Sequence, residues 1–182
     1  MRPPEILSLG ALQLRRFQRS DAAALQAAIV ASTDHLRPWM PWIAFEPLTL
    51  ADREELITGW FATGWDDQTD FGYGVFDGDD VVGGCGLHRR IDEGGIEIGY
   101  WVHVDHVGGG IATAASGALR DAAFAMPDIT HVEIHHDKAN VRSARVPAKL
   151  GFTLVREVLD EIQAPGEIGI SCEWRIDRPS PA

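Results

Sequence analysis

Residues 103–113, HVDHVGGGIAT, decide how this chain is read: strand-like residues run into three consecutive glycines and then into a helix. Upstream, residues 95–104 (GIEIGYWVHV) are rich in β-branched and aromatic side chains, which predicts a strand. Downstream, residues 111–125 (IATAASGALRDAAFA) are dominated by alanine and carry the apolar spacing of a buried helix. Gly108, Gly109 and Gly110 have no Cβ, so the backbone can turn tightly there and a ligand can come close to its amides. Free N–H groups and the positive end of the helix dipole then favour an anion, usually a phosphate. Glycine clusters also punctuate ordinary loops. Alone, the three glycines leave both readings open.

A chain of 182 residues is most simply one domain, with a core over 9–177 and a frayed tail over 178–182. A hydrophobic share of 45% and a charged share of 24% are those of an ordinary globular protein. Sixteen Lys+Arg against 27 Asp+Glu give a formal charge of −11, which argues against a broad basic face for nucleic acid. A local pocket for a phosphorylated cofactor is compatible with that charge. Cys85 and Cys172 are far apart in strand-like runs, so neither a metal knuckle nor a disulfide framework is expected. Buried thiols in a reducing compartment are the default. No apolar run approaches a membrane span and the first residues lack a signal-peptide core, so a cytoplasmic protein without a membrane partner is expected.

Working outward, residues 11–17 alternate apolar and polar and predict a first strand. Ser20 and Asp21 open an alanine-rich helix. Residues 35–42 (HLRPWMPW) carry two prolines that exclude regular structure, so their tryptophans sit in a loop that either caps the core or lines a recognition surface. Thr49 and Asp52 form a capping box for a second helix running to about Phe61, with Gly59 and Gly64 ending it. Residues 71–76 and 81–87 predict a hairpin across DGDD, and the glycines in its second strand suggest a bulge or a close backbone approach. A short strand follows at 131–135, then a helix from Asn140 to Gly151, then two strands at 152–159 and 171–176. This order predicts an α+β fold with a mixed, mostly antiparallel sheet.

IGYWVHVDHVGGGIATAA followed by NVRSARVPAKLGF resembles the GCN5-related N-acetyltransferase (GNAT) superfamily, and is most similar to its ribosomal-protein-alanine (RimJ/RimL-like) branch. The family's Gln/Arg-x-x-Gly-x-Gly/Ala phosphate loop is matched at Gly110 and Ala112, and Asn-x-x-Ser with Lys-Leu-Gly-Phe is matched at Asn140, Ser143 and residues 149–152. HLRPWMPW also resembles that branch, and the likeness spans nearly the whole chain in order. Two departures stand out. Val107 occupies a position that often holds Gln or Arg, which removes a polar contact but leaves the amide. Pro147 lies inside the last helix and should kink the turn that starts at Ser143.

The resemblance implies a single GNAT domain, splayed at the cofactor site, that uses acetyl-CoA and transfers its acetyl group to a primary amine by direct attack. It implies that the pantetheine arm pairs with the strand at Trp101, Val102 and Val104, that the pyrophosphate sits on Val107, Gly108, Gly109, Gly110, Ile111, Ala112 and Thr113, and that Asn140 bonds the arm. Ser143 is implied close to the thiol, able to protonate it. The chemistry also needs a neutral amine and a polarised carbonyl, the latter within reach of a main-chain amide of the opening strand.

Glu97 and His136, at strand ends near the opening, are the candidates for the proton acceptor. Glu97 is alternatively a partner for the cationic amine. Glu97, His35, Trp39 and Trp42 are expected to line the acceptor pocket. His131, His135 and His136 form no recognisable metal-ligand spacing, so no metal is expected. The acceptor is a peptide N-terminus or, alternatively, an antibiotic or small metabolite, with the protein a monomer or homodimer. A non-catalytic acyl-CoA sensor is the reading from another class. A nucleotide P-loop is disfavoured, because no Gly-Lys-Ser/Thr follows the glycines.

Overall fold

The computed structural model describes residues 1–179. A short hairpin of β1 (Ile6–Leu9) and β2 (Leu12–Arg15) leads into helix α1 (Ala22–Leu36). A 3₁₀ turn at Pro41–Phe45 precedes α2 (Leu50–Leu56), which passes through a π-helical turn at Ile57–Phe61 into α3 (Ala62–Asp67). Then come β3 (Asp70–Asp77), β4 (Asp80–His88), β5 (Gly95–Val102), α4 (Ile111–Phe124) and β6 (His131–Asp137). The short α5 (Arg145–Lys149) and strands β7 (Thr153–Leu159) and β8 (Ile170–Asp177) complete the order.

All eight strands join one sheet in the order β1-β2-β3-β4-β5-β6-β8-β7, and β5–β6 is its parallel pair. The α+β expectation is met. Alternation along β5 sends Ile96 and Ile98 to a core beneath α4, where Leu119 and Ala123 are fully buried. The opposite face packs Phe76 and Val81 against Leu25, Ile29 and Ile57 of α1 and the helix after α2. Truncating a residue such as Leu119 to alanine would cost about 3 kcal/mol through lost burial and the cavity left behind.

Several expectations need correction. The first strand is a hairpin, because residues ahead of Gly10 also pair, so the sheet begins before residue 9. Residues 41–45 do form a 3₁₀ turn: Pro41 stands at its first position, where no amide donor is required. His35 and Leu36 still belong to α1. The capping box is present, with the Asp52 amide donating to Thr49 Oγ1 at 3.2 Å and the Thr49 amide to Asp52 Oδ2 at 3.1 Å. Gly59 and Gly64 do not end that helix. It continues to Asp67 and stops at Gln68, whose φ of 59° is left-handed.

The expected bulge lies in β4, where Val75 pairs with Gly83 and Phe76 with Val81, leaving Val82 as the extra residue. The helix expected over 140–151 shrinks to α5, and residues 141–144 are turns. Arg178 is anchored: its guanidinium donates to the carbonyls of Phe124, Met126 and Ile129, and its amide to that of Thr130. Of the expected tail, residues 180–182 lie outside the described residues.

Candidate active site at a fork between two strands

β5 and β6 pair only at Gly95↔His131, Ile96↔Val132 and Glu97↔Glu133. Beyond Glu97 they separate. β5 stays on β4 as far as Val102, and β6 stays on β8 as far as Asp137, so the inner edges of both carry main-chain groups that the other strand does not satisfy. Asp137 holds the β6 arm in place: Oδ1 accepts from the Ala139 amide, and Oδ2 accepts from the amides of Ile168, Gly169 and Ile170. The β5 arm is tied down by the His103 amide donating to the Val82 carbonyl at the bulge and by the Val104 amide donating to Ser32 Oγ of α1.

The glycine loop sits at the end of the β5 arm. Gly108 and Gly110 have φ of 86° and 84°, a left-handed conformation that side chains rarely adopt, and a Cβ on either would meet open space. The positions are conformationally strict but not crowded, which leaves their amides open to a ligand. The first intrahelical bond of α4 runs from the Ala114 amide to the Gly110 carbonyl, so Ile111, Ala112 and Thr113 present amides at the helix start. Residues 104–110 are exposed. Together they form a helix-start nest suited to a diphosphate.

On the α4 face of the fork, the Tyr100 hydroxyl lies 2.7 Å from Ser143 Oγ and donates toward the Ser143 carbonyl at 3.2 Å. Burial pushes the Tyr100 phenol up to about 12, although its bond to Ser143 works the other way. It therefore keeps its proton at neutral pH. The Asn140 side-chain oxygen accepts the Ser143 amide at 3.2 Å, fixing the turn that carries Ser143. Pro147 falls in the first turn of α5, where a missing amide is tolerated. The amide it lacks is the one that would have met the Ser143 carbonyl, and Tyr100 and the Val146 amide fill that place.

These elements match known proteins. A family model for the acetyltransferase (GNAT) domain matches residues 11–153. The chain belongs to the GNAT acetyltransferase family. It is an acetyl-CoA-dependent N-acetyltransferase, with a single GNAT-fold sheet flanked by helices. It is 30% identical over 145 residues to "Putative ribosomal N-acetyltransferase YdaF" of Bacillus subtilis (strain 168), covering 78% of this chain and 77% of that one. Among solved structures, RimL, a ribosomal L7/L12 α-N-protein acetyltransferase in complex with coenzyme A, superposes with a TM-score of 0.84 at 19% identity, over 95% of this chain and 98% of that one. RimJ of Mycobacterium smegmatis gives 0.80 at 23% identity, over 97% and 90%. The microcin C7 self-immunity acetyltransferase MccE gives 0.85 at 19%, over 96% and 97%.

The remaining residues expected at the site lie on two faces of the sheet. Glu97 is at the closing pair of the fork and only 7% exposed. Burial opposes its charge, but the bonds from Arg90 at 2.7 and 2.6 Å outweigh this, and the carboxyl is held below its ordinary value. It is a fixed anion rather than a ready base. His136 points to the α4 face, and both of its ring nitrogens are engaged: Trp174 Nε1 donates to Nε2 at 3.0 Å, and Nδ1 bonds the Asp137 carbonyl at 2.8 Å. Burial lowers its pKa, partly offset by that carbonyl. With its lone pair occupied, His136 is poorly placed to take a proton.

His35, Trp39 and Trp42 lie on the α1 side. Trp42 packs edge-on against Trp101 with ring centroids 6.2 Å apart, and burial with nearby Arg142 lowers the His35 pKa. Their loop is braced by a buried pair, Arg53 donating to Glu46 Oε1 at 2.6 Å and to Gln26 Oε1 at 3.0 Å. The Gly166 amide also donates to the Pro38 carbonyl at 2.9 Å.

Sequence reasoning did not find Tyr100 as the partner of Ser143, nor a polar row beside Glu97. Across β4, β5 and β6 this row runs His88, Glu97, Glu133. His135 bonds Glu133 at 2.6 Å, and their ligand atoms gather with those of Glu173 within 4.8 Å. Arg156 bonds Glu173 and compensates its charge. Only the strand register brings these side chains onto one face, so spacing along the chain gave little signal.

Proposed function

We propose that the chain transfers the acetyl group of acetyl-CoA to a protein N-terminal α-amine by direct attack in a ternary complex. The observation that carries this reading is the 30% identity, over 78% of the chain, to the protein named "Putative ribosomal N-acetyltransferase YdaF". RimL and RimJ, with the same fold, were solved in complex with coenzyme A and with CoA-disulfide respectively, which suits the fork and the helix-start nest as a cofactor site.

In this reading the inner edge of β5 at Trp101, Val102 and Val104 pairs with the amide-bearing arm, and the amides of residues 107–113 take the pyrophosphate. Asn140, whose oxygen holds the Ser143 amide, offers its NH₂ group to the same arm. Attack forms the N–C bond and collapse breaks the C–S bond. Ser143 Oγ–H supplies the proton taken by the departing sulfur, the Tyr100 hydroxyl replenishes it, and water returns the proton to Tyr100. Glu97 holds negative charge where a cationic amine arrives, while Trp42, Trp39 and His35 wall the approach. The protein acts in the cytoplasm, as a monomer or homodimer.

The test is thiol release from acetyl-CoA with peptides bearing free N-terminal Ala, Ser or Met, beside an aminoglycoside and free amino acids. Peptides should give kcat/KM at least about tenfold above the small amines, the ratio of one well-made contact. Preference for a small amine would move the acceptor to the alternative class. Tight CoA binding without turnover on any amine would make the protein a sensor.

A further inference from the structure

A histidine–aspartate pair stands on the acceptor side of the fork. Asp70 and His88 face each other at the open end of the β3–β4 hairpin, and Asp70 Oδ2 lies 2.9 Å from His88 Nδ1. A carboxylate only accepts, so Nδ1 carries a proton and the neutral form of the ring has its lone pair at Nε2. Among the described residues, Nε2 makes no hydrogen bond. The ring leans over two glycines, and a Cβ on Gly86 or on Gly99 would stand 3.0 Å from Nε2. Gly99 is the second β5 residue beyond the closing pair Glu97↔Glu133, so Nε2 sits over the beginning of the fork. Trp101, two residues further on the same face, carries the packing of Trp42. The imidazole therefore lies between the aromatic wall and Glu97, with 19% of its side chain exposed.

We infer that His88 Nε2 takes the proton of the attacking amine and that Asp70 is the positioning residue that sets the tautomer. This rests on the acetyl transfer proposed above. As the amine nitrogen bonds to the acetyl carbon, its proton passes to Nε2. The C–S bond breaks, the sulfur is protonated from the Ser143 side, and His88 later gives its proton to water. Acid and base then work from opposite faces of the sheet: Tyr100 and Ser143 on the α4 face, Asp70 and His88 on the other. Glu97, bonded by Arg90, faces His88 directly across the strands and favours the imidazolium formed. Glycine at 86 and 99 leaves room for the ring.

The experiment follows kcat/KM from pH 5.5 to 9 for wild type, His88→Gln and Asp70→Asn, with an N-terminal-alanine peptide and a panel of small primary amines. Titrating CoA into each protein provides a second readout. His88→Gln should lower turnover near pH 7 by about 100-fold, the lower end of general-base contributions. The loss should shrink as pH rises and free amine accumulates, with CoA affinity within threefold of wild type. Asp70→Asn should cost about tenfold in kcat/KM with CoA affinity within threefold of wild type, because the ring is no longer held in the tautomer that presents Nε2. A His88→Gln protein within threefold of wild type at pH 7, or with an unchanged acidic limb, overturns the assignment. Should His88→Gln fail to bind CoA, Asp70→Asn decides: turnover within threefold of wild type overturns it. No transfer by wild type to any amine overturns both this inference and the function beneath it. Transfer undiminished in the variants overturns this one alone.

Discussion

Tyr100 Oη lies 2.7 Å from Ser143 Oγ, joining the β5 arm of the fork to the turn that follows β6. The same phenol also meets the Ser143 carbonyl, which Pro147 leaves without its helical donor. One contact thus closes the fork's lower face and orients a hydroxyl.

Ser143→Ala should lower kcat by about 10- to 100-fold while CoA affinity stays within about threefold, since the hydroxyl acts on the leaving sulfur rather than on the cofactor's bulk. Single-turnover rates beside calorimetric titration check this. Unchanged turnover removes Ser143 from the mechanism.

Tyr100→Phe should reduce kcat less than Ser143→Ala but cost more stability, about 1 kcal/mol, because the half-buried Ser143 carbonyl loses one of its two donors and keeps only the Val146 amide. Urea unfolding of the two variants side by side gives the order. A more stable Tyr100→Phe protein would mean that Val146 alone satisfies the carbonyl.

Gly110→Asp should abolish CoA binding, because a carboxylate would stand at the phosphate nest and a left-handed φ of 84° would be imposed on a side chain. Gly110→Ala isolates the backbone part, with about 1 kcal/mol of strain and partial affinity. Normal CoA affinity in Gly110→Asp would place the pyrophosphate elsewhere.

The Arg90–Glu97 pair should make the protein acid-sensitive. Glu97 is held below its ordinary value of 4.5, so its contribution is fully present above that pH and is lost as pH falls through the folded value. Glu97→Gln should flatten the decline in stability below about pH 4.5 and lower stability at pH 7 by about 1–2 kcal/mol, discounted because Arg90 is 60% exposed. Denaturant midpoints across pH would reveal an unchanged slope if the pair were inert.

Much of this was legible in the chain itself. The hairpin β3–β4, the strand into the glycine loop and α4 follow from period, turn residues and alanine content, and these elements position the proposed cofactor site. The first hairpin was not legible as two strands, because four-residue strands lie below the length at which alternation speaks. The helix at 140–151 was overread, since Asn140 caps a turn rather than a helix. The surroundings of the two candidates for the base were hidden for a different reason. Glu97 and His136 lie where the sequence put them, near the opening, but Arg90 and Trp174 occupy them through contacts no spacing rule conveys. Asp70 and His88 become neighbours only once the hairpin's register is known.

The position of β8 between β6 and β7 has a consequence for biosynthesis. The strand made last among the eight is inserted inside the sheet, and it is the support along which the β6 arm lies. Until residues 170–177 have left the ribosome, β6 has only its three pairs with β5, and β7 has no neighbour at all. The β1–β5 meander can form while synthesis continues. The two arms of the proposed cofactor cleft cannot, so the nascent chain should gain affinity for CoA only once residues 170–177 have emerged and paired.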